Sequence, residues 1–266
     1  MEIYSLAGIK IKTYKTILGP EWRKYQNLSG DSPIDILVKN EEPAACKYQL
    51  EEYVLQENYT KCYRYHRDIM FVDDGWQHMR ILNVKDERSV SVFLLQIFYA
   101  QAVQRHMIQI HSSMIRYQNK GILFLGPSGI GKTTQAELWN QYRDALIING
   151  DMNFVQETEE KFIGWGTPWH GSSPYCENTS VQICALVVLQ QREENSIRKL
   201  EGFEKVQKVS GNIIYPTWLE NGMELCLETL DHLLKKLPVY ELCCRPDEEA
   251  VQLVEETIFY SVEGEE

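Results

Sequence analysis

Eight consecutive residues, Gly126-Pro-Ser-Gly-Ile-Gly-Lys-Thr133, constrain this chain more than any other feature. They satisfy the pattern GxxxxGK[ST], follow the apolar run Gly121-Ile-Leu-Phe-Leu125, and lead into a helical pattern that runs to Tyr142. A strand, a glycine-rich loop and a helix start in that order make a cradle for phosphate, because backbone N–H groups converge on the anion and the helix terminus adds positive partial charge. The expected nucleotide-holding set is Gly126, Pro127, Ser128, Gly129, Ile130, Gly131, Lys132, Thr133 and Thr134. Lys132 would reach the β- and γ-phosphates and the Thr133 hydroxyl would ligate Mg²⁺.

Around this motif the chain reads as α/β. Ile9 to Tyr14, Ile34 to Val38 and Met79 to Val84 are short apolar stretches separated by turn clusters such as Leu28 to Pro33, so residues 1–88 form an expected β-rich N-terminal region. Residues 89–266 form the expected phosphate-loop domain, opened by a helix from Ser89 to about Ile110 whose apolar residues recur at helical spacing. Ile110 to Tyr117, a turn at Asn119-Lys120 and the strand Gly121 to Leu125 read as a hairpin. Strands are expected at Ala145–Ile148, Ile183–Leu189 and Val239–Cys243. Helices are expected around 202–209, 219–236 and 246–256, with Asp247, Glu248 and Glu249 suiting the positive start of the last.

Composition narrows the partners. With 27 Lys+Arg against 38 Asp+Glu the net charge is −11, so no basic field exists to hold a nucleic-acid backbone. No apolar run approaches the ~20 residues that span a bilayer, and Met1-Glu2-Ile3 lacks the basic start of a secretory leader. The seven cysteines, Cys46, Cys62, Cys176, Cys184, Cys226, Cys243 and Cys244, have no CxxC spacing. Reduced thiols in a cytoplasmic protein are the expectation, with no spacing that supports zinc.

One helix beyond the loop, Ala145-Leu-Ile-Ile-Asn-Gly-Asp151 ends an apolar strand in a carboxylate, which suits a metal ligand beside the phosphates. GPSGIGKTT, then IINGD, then GTPWHGSS and a Leu-rich strand resemble the HPr kinase/phosphorylase and phosphoenolpyruvate-carboxykinase type of P-loop kinase, over about residues 105–256. The resemblance extends to HPr-kinase-like proteins found with peptide natural products, including lasso-peptide kinases. It implies Mg·ATP as donor, a Ser hydroxyl of a small protein or precursor peptide as acceptor, and a homo-oligomer. Carboxykinase activity itself is disfavoured by the shorter chain. HPr kinase carries two adjacent aspartates, a base and a metal ligand, whereas Gly150-Asp151 keeps only the second. Asp151 therefore either does both jobs or holds Mg²⁺ while a base comes from elsewhere.

Two histidines compete for that role. A regular hairpin about Asn119-Lys120 would set His111 opposite Ser128, and HPr kinase has a histidine on the corresponding strand. His170 lies in Gly166-Thr-Pro-Trp-His-Gly-Ser-Ser173, an irregular stretch of the kind that holds substrates on a rigid α/β scaffold. Thr167, Trp169, His170, Ser172 and Ser173 are the expected acceptor contacts, with Trp169 as a flat wall. Arg192, Arg198 and Arg245 follow strands, and Arg198 is the expected cation for the substrate. A nucleotide-binding scaffold or slow ATPase, and a small-molecule kinase, remain alternatives to a protein or peptide kinase.

Overall fold

The computed structural model describes residues 1–27, 33–42 and 59–260. Most of the turn cluster at 28–33, Cys46 and the acidic end Glu263–Glu266 lie outside the described residues. The chain divides into two compact units, Met1–Gln104 and Arg105–Glu266. The sequence reading drew that line at 88/89.

The first unit carries a six-stranded sheet: β1 (Glu2–Leu6), β2 (Ile9–Tyr14), β3 (Ile36–Glu41), β4 (Lys61–Tyr65), β5 (Asp68–Val72) and β6 (His78–Leu82), in the order β1-β2-β3-β6-β5-β4. Strict alternation buries Ile9, Ile11 and Thr13 on one face of β2 and Ile36, Val38 and Asn40 on one face of β3. Asn40 is satisfied there, donating to Lys15 O and Val84 O and accepting from Val84 N. Helix α1 (Glu87–Val103) starts at Asp86, whose side chain caps Arg88 N, and buries Val90, Phe93, Leu94, Ile97 and Phe98. It stops short of the expected Ile110. His106 takes a left-handed conformation and the chain from Met107 onward is strand, because Met107, Ile108 and Ile110 belong to a continuously buried run rather than to a helical stripe.

The second unit is built on a nine-stranded sheet. Its elements are β7 (Met107–Tyr117), β8 (Lys120–Leu125), α2 (Lys132–Arg143), β9 (Leu146–Asn149), β10 (Met152–Glu157), β11 (Phe162–Trp165), β12 (Ser180–Gln191), β13 (Ser196–Leu200), α3 (Gly202–Ser210), β14 (Ile213–Ile214), α4 (Gly222–Lys236), β15 (Val239–Cys244) and α5 (Glu248–Glu255). The main path runs β11-β10-β7-β8-β12-β15-β13, and β11 also pairs with the start of β12. Strands β7, β8, β12, β11 and β10 thus close on themselves, while β8, β12 and β15 run parallel and end together. Apolar residues of α2, α5 and the sheet, including Trp139, Phe124, Val187, Leu242 and Val254, form the core behind the loop. The Asp247 carboxylate caps α5 through Ala250 N at 3.1 Å.

The β7–β8 hairpin turns one residue earlier than expected, at Gln118 and Asn119, both left-handed. Ser112 faces Leu125 and Tyr117 faces Lys120, so the register continues to set His111 opposite Gly126 and not Ser128. All six described cysteines are free thiols, and among the described residues no group of three His, Cys, Asp or Glu side chains gathers as a metal site. No described helix is long and apolar enough to cross a membrane.

Candidate functional site

The loop Gly126–Gly131 joins the end of β8 to the start of α2, with Gly126, Gly129 and Gly131 at positive φ. Lys132 folds back over this loop, donating from Nζ to Gly126 O at 2.9 Å and Pro127 O at 3.2 Å. Burial pulls its ammonium below the ordinary lysine value, and the charge of Asp151 offsets part of that loss. A phosphate would replace the two carbonyls as partner of a buried cation, a stronger contact than either carbonyl makes. Asn212, which the sequence reading did not single out, anchors the loop. Its Oδ1 accepts from Gly126 N at 2.9 Å, its backbone carbonyl accepts from His111 N at 2.8 Å, and its Nδ2 donates to Lys208 O.

Asp151 sits at a break between two strands rather than at a simple strand end. β9 and β10 both pair with β7, and Gly150-Asp151 interrupt them at the level of Ser112 and Ser113. Ser112 N donates to Asp151 O, and the Ser113 hydroxyl donates to Gly150 O at 2.9 Å. The interruption turns the Asp151 carboxylate outward, where Oδ1 lies 3.1 Å from His111 Nε2. Both side chains are about one-third exposed. Thr133 Oγ1 reaches the same segment, donating to Gly150 O at 3.4 Å. A hydroxyl and a carboxylate are hard oxygen donors of the kind Mg²⁺ takes, so Thr133 and Asp151 are the side chains here that would hold such an ion.

Asn149 explains why the break is stable. Fully buried, it accepts from Asp151 N and Met152 N through Oδ1 and donates to Thr167 O and Trp169 O through Nδ2. One amide thereby satisfies four backbone groups and ties the 166–175 segment to the carboxylate. Two glycines let these segments close. At Gly150 a Cβ would stand 1.9 Å from Ser173 Oγ, and at Gly171, φ +58°, it would stand 2.1 Å from Asp151 Oδ2. The space that a side chain at position 150 would need is therefore filled by Ser173.

The expected acceptor contacts divide into two groups. Trp169 is buried against Phe154, ring centroids 6.3 Å apart, so it is a core residue and not an open wall. Thr167 is buried with its hydroxyl on Met152 O at 3.4 Å, and Ser173 is buried. His170 Nδ1 contacts Ser173 O, which fixes the loop's turn and makes the ring a structural tie. Gly171 and Ser172 remain exposed beside Asp151. Arg198 lies on edge strand β13, committed to Glu204 and to Glu241, so it is not the free cation expected for a substrate. Arg245 is likewise paired with Asp247 and Glu249.

No family model and no curated protein matches the chain. Among solved structures it is similar to the HPr(Ser) kinase/phosphatase from Coxiella burnetii, at 11% identity and a TM-score of 0.34, over 56% of this chain and 87% of that one.

Proposed function

We propose that this chain binds Mg·ATP on the Gly126–Thr133 loop and transfers the terminal phosphoryl group to a hydroxyl. A Ser of a small protein or precursor peptide is the acceptor we infer. The observation that carries this reading is the His111–Asp151 pair, held at a strand break beside the loop and bonded at 3.1 Å. Phosphoryl transfer passes through a loose transition state and asks mainly for positioning and charge stabilisation. Lys132 supplies the charge for the phosphates; Thr133 and Asp151 supply the metal's protein ligands, and the ion neutralises phosphate charge when bound. Asp151 and His111 together give the acceptor's proton a place to go, since with Nε2–H on the carboxylate the Nδ1 lone pair is left to accept it. The exposed Gly171 and Ser172 beside Asp151 leave room for a hydroxyl presented on a macromolecule.

The test is incubation of the chain with Mg·ATP and Ser-containing peptides or small proteins, read by mass for one added phosphate. Modification that vanishes in Lys132→Ala supports the reading. ATP consumed with every acceptor left unmodified favours a second one, a slow nucleotidase. That reading draws on the Gly150 position, where Ser173 leaves no space for another carboxylate.

A further inference from the structure

On the side of the loop away from His111 and Asp151, between the start of α2 and the ends of β12 and β15, lies a cavity of about 580 Å³. That volume is within the range of small-molecule sites, roughly 300–1,000 Å³. Ile130, Leu189 and Cys244 give it apolar walls. Two polar groups in its lining are incompletely satisfied among the described residues. Gln135, on α2, is 3% exposed, and its Nε2 is buried with no hydrogen-bond partner. A buried amide left unpaired is destabilising, and the wall of a cavity is where a ligand acceptor would relieve it. The Arg192 guanidinium, at the rim, bonds only to the neighbouring Gln191 O among the described residues, whereas that of Arg245 beside it is neutralised by Asp247 and Glu249.

The direction of the phosphate chain gives this space its occupant. With the reacting end at Lys132, Thr133 and Asp151, on the β7–β10 flank, the remainder of a donor must leave the loop toward β12 and β15. We propose that the cavity holds the nucleoside of a nucleoside triphosphate, with Gln135 turned to bond it and the Arg192 guanidinium over the face of the base. The donor is thus recognised through its nucleoside, and inorganic polyphosphates are poor substitutes. This rests on the phosphate-loop reading above.

Calorimetric titration of the full chain in Mg²⁺, with ATP and separately with inorganic tripolyphosphate, tests both. ATP is expected to bind about tenfold or more tightly than tripolyphosphate. Arg192→Ala should weaken ATP about fivefold, in line with a stacked cation, and leave tripolyphosphate unchanged. Gln135→Met should weaken ATP similarly while its melting temperature holds or rises, because it removes an unsatisfied buried group. Equal affinity for the two ligands in the unaltered chain, or variants that move both ligands alike or neither, would overturn the nucleoside site while leaving the phosphate loop standing. If neither ligand binds, the phosphate-loop reading fails and the nucleoside site falls with it.

Discussion

On the β7–β10 flank of the phosphate loop, Asn149, Gly150, Asp151 and Ser173 are locked together by hydrogen bonds and by approaches that admit only glycine, and Trp169 seals the segment from beneath. On the β12–β15 flank the lining groups leave about 580 Å³ open and keep an amide and a guanidinium without strong partners. The contrast matches two different physical demands. Groups that take part in transfer must stand within a fraction of an ångström of the reacting atoms, which requires side chains whose rotamers are fixed by their neighbours. A site that admits a ligand needs space and polar groups that folding has not already satisfied.

The hardest test of the comparison removes what both flanks share. Lys132→Ala should cut nucleotide-dependent turnover by roughly 10³–10⁵-fold, measured by phosphate transfer or release, because it deletes the charge that faces the phosphates. Normal turnover would take the loop out of both flanks. Trp169→Ala should cost about 3–5 kcal/mol in a denaturant titration, the loss for a large buried aromatic, while ATP affinity of the folded variant stays within about threefold. A variant of unchanged stability with a raised acceptor KM would return Trp169 to the surface role that its burial argues against. Asp151→Asn should preserve the melting temperature and lower turnover roughly 10²–10³-fold, because it removes the carboxylate charge with almost no change of shape. If turnover survives, the rigid flank is structural and transfer happens elsewhere.

Smaller effects sharpen the picture. Gly150→Ala should lose about 1–3 kcal/mol through the clash with Ser173 Oγ, and Ser173→Gly in the same chain should restore part of it. No recovery in the double variant would mean that Gly150 answers to some contact other than Ser173. Arg198→Ala should leave ATP affinity and acceptor KM within about twofold, since its half-exposed guanidinium lies on edge strand β13 and is already paired with Glu204 and Glu241. A larger change would restore the cation that sequence order placed at the substrate.

The glycine-loop motif, the helix after it and the apolar strands at Gly121–Leu125 and within Ser180–Gln191 were legible because each is a local pattern, with apolar period or turn chemistry written into adjacent residues. The apolar run before Asp151 was legible, but the strand ends at Asn149 and resumes at Met152, so that Asp151 lies in a break was not. β10, β11 and β13 were missed, since Met152–Glu157 and Ser196–Leu200 are too mixed in polarity to declare a period and are held as strands by their partners. Asn149 and Asn212 carried no signal because a buried asparagine is identified by the carbonyls and N–H groups that surround it, and those come from distant segments. The same reason separates the three arginines. Sequence alone determined that a glycine-rich loop stands between a strand and a helix, with a carboxylate one helix away. Tertiary structure decided that Trp169 is core, that Arg198 is neutralised by Glu204 and Glu241, that Ser173 occupies the space beside Gly150, and that Gln135 and Arg192 face a cavity. Burial and pairing depend on which segments the fold brings together, and no run of neighbouring residues encodes that by itself.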